Sequence, residues 1–347
     1  MLGKGAYGSV IKKNGYAVKQ FEKTNHLIQE WSAGYYLKGS SCIVKPVSFN
    51  MENKTLEMEL YDTNLSEWIR KGNMTHTDKL SVLQNILIGL TEIHERGLTH
   101  ADIKSSNILI KYHPLKAVIG DLGFVSLSKF AKVERTARTY RDLKIQHKPT
   151  HDMFSLGIVI IELFGNFRFE EQPDKKQIGN LTSHIFKNSG LPKTNELRTI
   201  VLNLTQENYN KRLSSKEVLY QLFNKKNEVV LSSVEYPLLQ NDEVQKWMKS
   251  VAKEWKIQRA KRGYKILLHY VHNNKKEKDI ILYSSAMLVI LSSIFGKSGF
   301  KDQRGLDACN DYFKDNLHHK KYSMKDILSC ISDLINNHEV ITTIFLP

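Results

Sequence analysis

His100-Ala101-Asp102-Ile103-Lys104-Ser105-Ser106-Asn107, with Asp121-Leu122-Gly123 beginning fourteen residues after Asn107, is the stretch from which the rest of this 347-residue chain can be read. It holds a carboxylate able to accept a proton (Asp102), a cation two positions on (Lys104), an amide (Asn107) and a second carboxylate (Asp121). Amide and carboxylate oxygens suit Mg²⁺, a hard ion held by one or two such side chains together with phosphate. Moving a phosphoryl group needs little covalent help from a protein. It needs charge neutralisation, alignment, and a carboxylate that orients the attacking hydroxyl. Any one of these short patterns arises by chance, whereas the full ordered set does not arise easily.

The remaining parts lie upstream. Gly3-Lys4-Gly5-Ala6-Tyr7-Gly8-Ser9-Val10 fits G-x-G-x-x-G-x-V, and Ala17-Val18-Lys19 follows a short turn at Asn14-Gly15. Glycines at those positions let backbone approach phosphate oxygens without Cβ clashes. The same spacing suits a dinucleotide-binding turn. Here, however, the segment runs into an alternating strand instead of a helix, and Lys19 falls where a strand aims it at a nucleotide. On these residues the chain resembles the eukaryotic protein kinase superfamily over roughly residues 1–225, on its Ser/Thr branch because Lys104 lies two residues after Asp102.

The resemblance implies an α+β, bilobal fold: a small β-rich lobe (1–62) and a large helical lobe (63–225), with ATP and Mg²⁺ between them. It implies that Lys19 pairs the α/β-phosphates and that Glu30, on the first long helix, holds Lys19. Asp102 would orient the substrate hydroxyl, Lys104 would contact the γ-phosphate, and Asn107 and Asp121 would hold Mg²⁺. The glycine loop from Gly3 to Gly8 would cover the phosphates. Leu2, Val10, Ala17 and Leu109 match the apolar shell of the adenine, with Met58 as gatekeeper and Glu59 and Tyr61 offering hinge backbone groups. Asp152 matches the buried acid that braces the catalytic loop. Met58 to Leu65 and the Ala6-Tyr7 pair are similar to the cyclin-dependent group, which makes Tyr7 a candidate inhibitory phosphosite. The implied partner is a protein with a Ser or Thr acceptor.

Departures from the pattern are equally specific. Ala101 replaces the arginine that reads a phosphorylated activation loop, so the expectation is activity without loop phosphorylation at Ser126, Ser128, Thr136 or Thr139. Leu122 replaces a phenylalanine. Tyr140-Arg141-Asp142-Leu143-Lys144 stands where Tyr-Arg-Ala-Pro-Glu is expected, which removes the glutamate partner of Arg212 and implies a remodelled peptide platform. Gly34, one turn after Glu30, puts no side chain where an apolar residue is expected.

The net charge of +15 favours anionic partners. Three cysteines without metal-ligand spacing fit a reducing compartment, and Met1-Leu2 leads straight into the glycine loop without a secretion signal. The expectation is a soluble intracellular protein, cytoplasmic or nuclear. Residues 280–295 carry no charge, but sixteen residues with four serines are short of the roughly 20 apolar residues of a spanning helix. A buried core helix is expected there.

Hydrophobic period switches along the chain. Alternation marks strands at Ser9–Lys12, Tyr16–Gln20, Val44–Asn50 and Thr55–Tyr61, with a helix near Leu27–Leu37. Leu80, Leu83, Leu87, Leu90 and Ile93 form a helical stripe, Ile108–Lys111 and Ala117–Ile119 read as short strands, and Phe154–Phe164 as an apolar helix. Ser214 caps a closing helix. A linker is expected at 226–242, then an all-α domain over 243–347 with helices at about 243–257, 258–273, 278–295, 304–317 and 323–336. Through Tyr264–Val271 and Ser285–Leu291 that domain resembles a single cyclin box, which would dock on the catalytic domain of its own chain and activate it; the same five amphipathic helices also fit an unrelated helical module. Lys246, Lys249, Lys253 and Lys256 share a helical face, continued by Arg259, Lys261, Arg262 and Lys265: an anionic partner site over 246–265, or more plainly a solvated face. Against an active protein kinase stand a nucleotide-binding pseudokinase scaffold that works through its basic helical domain and, as a minor alternative, a kinase that acts on small molecules.

Overall fold

Asn14 and Gly15 both take positive φ (50° and 81°), as a two-residue type I′ turn requires, and fold β2 (Gly8–Lys13) back onto β3 (Tyr16–Phe21). The computed structural model describes residues 3–5, 8–37, 39–127, 138–142, 149–187, 190–224, 267, 270–271, 283–284, 286–288, 290–291 and 324–336. These divide into two compact units: Met1–Tyr36, Pro46–Met58 and Val230–Pro347 in the first, Leu37–Lys45 and Glu59–Val229 in the second.

In the first unit β1 (Gly3–Gly5), β2, β3, β5 (Thr55–Glu59) and β4 (Pro46–Asn50) form a five-stranded sheet in the order β1-β2-β3-β5-β4. Helix α1 (Thr24–Tyr36) packs on it through Leu27, Ile28 and Trp31, all buried, with the Trp31 ring centroid 4.7 Å from that of Phe49. The helix starts three residues before the position its apolar spacing suggests. In the same unit, Leu267, Tyr270, Val271, Met287, Ile290, Leu291, Ile331, Leu334 and Ile335 are buried. The Tyr283 hydroxyl donates to Asp333 at 2.6 Å, which ties the 283–291 region to the helix Met324–Asn336. The expected apolar helix is thus a buried one where it is described. The expected linker and the helices at 243–257 and 304–317 lie outside the described residues, as do the basic residues 246–265. No helix among the described residues is long and apolar enough to cross a membrane.

In the second unit, β6 (Thr63–Asn64) leads into α2 (Leu65–Lys71), whose first turn is capped by the Asn64 side chain. A reciprocal capping box between Thr75 and Asp78 starts α3 (His76–Glu95), and the expected stripe of α3 buries Leu83, Leu87, Leu90 and Ile93 fully. β7 (Leu98–Thr99), β8 (Ile108–Tyr112) and β9 (Leu115–Ile119) follow, with sheet orders β6-β8-β9 and β10-β7, where β10 is Ser126–Leu127. Helix α4 (Pro149–Gly165) is buried at every residue from His151 to Leu163, as a helix apolar on all sides must be. On it pack α5 (Lys175–Ile185) and α6 (Thr194–Leu204), while α7 (Ser215–Phe223) packs on α3 and α6 and is started by the expected Ser214 cap with Glu217 completing its box.

Candidate active site

The first unit supplies a lysine held in place. The β2–β3 register sets Val10 opposite Lys19 and Lys12 opposite Ala17, so Val10, Ala17 and Lys19 share one face of the sheet. Lys19 is only 6% exposed, and its Nζ meets Glu30 Oε2 at 2.6 Å, the pairing expected between strand and first helix. Gly8 is required where it stands: a Cβ there would lie 1.8 Å from the Gln20 carbonyl oxygen. Val10 and Ala17 are half-buried apolar groups on the lysine's face, and Met58 is buried at the end of β5. Leu2, Ala6 and Tyr7 lie outside the described residues. Gly3, Lys4 and Gly5 form β1, paired with β2.

The second unit supplies the acid, a second lysine and the oxygen donors. Lys104 Nζ donates to Asp102 Oδ2 at 2.7 Å, and Asn107 Nδ2 donates to the same oxygen at 2.9 Å and to the Asp102 backbone carbonyl at 2.9 Å. Two donors on one oxygen fix the plane of the carboxylate. With its Nδ2 engaged in this way, Asn107 keeps its amide oxygen for a cation. Asp121 is brought close by the β8–β9 hairpin, because Ile108 pairs with Ile119 and the Gly120 N–H donates to the Asn107 carbonyl at 2.8 Å. An amide oxygen beside a carboxylate is a hard-oxygen donor set that fits Mg²⁺. Both Ala101 (φ 65°) and Asp121 (φ 54°) occupy the left-handed region, a conformation that non-glycine residues hold only where their surroundings over-determine it.

Those surroundings centre on Asp152. It is fully buried at the start of α4 and accepts from the backbone N–H of His100 (2.8 Å), that of Ala101 (2.8 Å) and His94 Nε2 (2.9 Å). Burial alone would raise this carboxyl; the neighbouring His151 and His94 imidazoles outweigh it and hold Asp152 well below the usual carboxylate range. His100 is a packed core histidine. Its Nδ1 accepts from the Asp102 N–H at 3.3 Å, so Nε2 carries the hydrogen and donates to the Gly120 carbonyl at 3.1 Å. One imidazole therefore ties the Asp102 loop to the Asp121 turn.

On the hinge segment, the Glu59 carboxylate accepts from Lys111 Nζ and the Tyr61 hydroxyl, both at 3.0 Å. Its N–H donates to the Lys45 carbonyl. Those side chains are tied locally. Leu109, on β8, is half-buried.

One expectation needs correcting. The glutamate partner of Arg212 is absent from the sequence, but the ion pair is not lost: Asp142 Oδ2 lies 2.6 Å from Arg212 Nη2 in a buried site. The guanidinium also donates to the carbonyls of Gln206 and Thr150 and stacks 5.0 Å from the centre of the Phe154 ring. A carboxylate two positions earlier, on a shorter side chain, has taken the role. Asp142→Ala should cost about 3 kcal/mol in urea unfolding, because it strands a buried guanidinium charge. A loss under about 0.5 kcal/mol, the range of ordinary surface changes, would mean that the carbonyls alone suffice.

Sequence reading missed a buried polar network next to this pair. The Tyr140 hydroxyl donates to Glu162 at 2.8 Å and meets the Ser105 hydroxyl at 3.1 Å, which links the catalytic loop, the residues before Asp142 and α4. Burial raises the pKa of both Tyr140 and Glu162. Glu162 is the lone charge in Phe154–Phe164, and that was the available signal: a charge in an apolar helix needs a buried partner. His94 offered no comparable signal.

Comparison with known proteins agrees with this geometry. A family model described as a protein kinase domain matches residues 1–224. The interferon-induced, double-stranded RNA-activated protein kinase of Mus musculus is 26% identical over 264 residues, covering 65% of this chain and 50% of that protein. A Wee1-like protein kinase of Arabidopsis thaliana is 32% identical over 123 residues (33% and 24%). The serine/threonine-protein kinase MRK1 homolog of Encephalitozoon cuniculi is 29% identical over 189 residues (47% and 57%). The chain thus spans between 24% and 57% of these relatives' own length. Since the matched model covers well over half of the chain, this protein belongs to the protein kinase domain family.

Proposed function

We propose that this chain is a Ser/Thr protein kinase that transfers the γ-phosphoryl group of Mg-ATP to protein hydroxyls. The observation that carries the reading is Asp102, held by Lys104 and Asn107 through one carboxylate oxygen. Bound Mg²⁺ would supply charge neutralisation on the phosphates, with Asn107 and Asp121 as its protein ligands. The residues of the chain do the rest. Lys19, kept extended by Glu30, meets phosphate oxygens; Lys104 offers charge to the group in transfer; Asp102 orients the acceptor hydroxyl and takes its proton. Full-length protein should show Mg²⁺-dependent transfer of labelled phosphate from ATP to a generic basic protein, and Asp121→Asn should abolish it. A chain that binds ATP yet transfers nothing would instead be a nucleotide-binding scaffold.

Activity without loop phosphorylation is part of the proposal. Ala101 has a methyl group where a phosphate-reading guanidinium would stand, and its backbone is held by Asp152. Thr139→Ala should keep most of the wild-type turnover; loss of all turnover with folding and ATP binding intact would refute this. Activation by the C-terminal helical segment, with a cyclin-box-like role, is the finer reading. What supports it is that residues 230–347 share a compact unit with the strands and helix that carry Lys19 and Glu30. Leu334→Asp, which puts a charge into the core of that segment, should then reduce transfer while ATP binding persists. Unchanged transfer would leave the segment a docking role. The cyclin-dependent-like assignment, the Tyr7 phosphosite and an anionic partner for residues 246–265 rest on sequence resemblance and charge alone.

A further inference from the structure

The ends of α3, α4 and α6 and the residues just after α5 border a pocket of about 200 Å³, lined by His76, Lys79, Phe164, Phe186, Leu191 and Thr194 among others. Its walls are mixed, with polar groups of His76, Lys79 and Thr194 beside the apolar Phe164, Ile185, Phe186 and Leu191; the Phe164 ring lies 5.5 Å from His76 and 5.6 Å from Phe186. Lys79 is the lysine among these lining residues. It is 6% exposed, and among the described residues no carboxylate reaches it. Its Nζ makes one long bond, 3.4 Å, to the Phe164 carbonyl and sits 5.9 Å from that ring's centroid. An ammonium carries three N–H donors, so two find no acceptor among the described residues.

Lysine is almost never buried without a partner, because its charge loses hydration that nothing replaces. Here burial lowers the Lys79 pKa without an acid to offset it. The helix ends do not explain the arrangement. α3 and α6 bring their positive ends and α4 and α5 their negative ones, so they offset one another and the lysine sets the sign. The dimensions also suit a ligand. An apolar cavity of about 150 Å³ holds benzene, and this pocket adds room for a charged group beside the ring.

We propose that this pocket binds a small aryl or alkyl carboxylate, with the anion on Lys79 Nζ and the apolar body against Phe164, Phe186 and Leu191. The bound anion would accept charge-assisted hydrogen bonds from the Lys79 ammonium. Leu191, 48% exposed at the mouth, would be covered by the ligand. The site stands apart from the catalytic loop. Along α3, Lys79 and His94 are fifteen residues apart, about 22 Å at 1.5 Å per residue. The proposal does not rest on phosphoryl transfer.

The test is calorimetric titration of the full chain with phenylacetate, using 2-phenylethylamine as a cation of similar shape. Saturable binding of the acid and none of the amine is expected. Lys79→Met, which keeps chain length and removes charge, should weaken phenylacetate by about tenfold or more, the worth of a hydrogen bond to a charged group. Leu191→Trp fills the mouth from an exposed position that folding does not depend on, and should weaken binding as well. No saturation at millimolar phenylacetate, equal binding of the amine, or undiminished affinity in both variants would overturn the proposal.

Discussion

Asp102→Asn should lower the rate of phosphoryl transfer by about 10³-fold, within the range usual for a positioned general base, and leave the KM for ATP nearly unchanged. Asparagine has the same shape, so the 2.7 Å and 2.9 Å contacts made by Lys104 and Asn107 can persist on its amide oxygen. What disappears is the negative charge and the second acceptor oxygen, which a hydroxyl must meet as it loses its proton. Lys104 also loses its counter-charge. The nucleotide should notice little, because the Lys19–Glu30 pair belongs to other elements and is untouched. Steady-state kinetics separate the outcomes. A fall in kcat alone is an interaction made in the transition state; a rise in KM with kcat preserved would make Asp102 a binding residue and sink the assigned role.

The parts of this site that the sequence makes legible are those in which side-chain identity and local spacing suffice. Lys19 is recognisable because a strand follows the Asn14-Gly15 turn, and its Glu30 partner because a helix brings a carboxylate back to that strand. Asn107 and Asp121 are recognisable because two short apolar strands separate them, and a hairpin of β8 and β9 necessarily brings its open ends together. Three features resist such reading. The Asp142–Arg212 pair joins residues seventy positions apart and substitutes one carboxylate for another, so a pattern that demands glutamate at a fixed place scores it as missing. His94 lies in the last turn of α3 with nothing local to show that it reaches Asp152, a contact made only when α3 and α4 pack. Lys79 reads as one more surface lysine near a helix start. Only tertiary structure reveals that it lines a pocket together with Phe164 and Phe186. Burial of charge is a property of packing, which hydrophobic periodicity marks only on the apolar side.

Asp152→Asn should destabilise the fold by about 3 kcal/mol, the scale for breaking one side of a buried charged network, and should also loosen the catalytic loop. Aspartate accepts from two backbone N–H groups and one imidazole with two oxygens; asparagine must turn an NH₂ toward one of those donors. Among the described residues the Ala101 backbone is held by Asp152, so kcat should fall along with stability. Acidity distinguishes this network from simple packing. The folded-state pKa of Asp152 lies below its unfolded value of about 3.8, so its contribution is present in full above that value and is lost as pH falls towards the folded one. Asparagine does not titrate there. The stability gap between wild type and Asp152→Asn should therefore narrow as pH falls below about 4. Urea unfolding of both proteins across that range gives the answer. A gap that stays level into acid would mean that the carboxylate's charge contributes nothing, and that Asp152 holds the loop by shape alone.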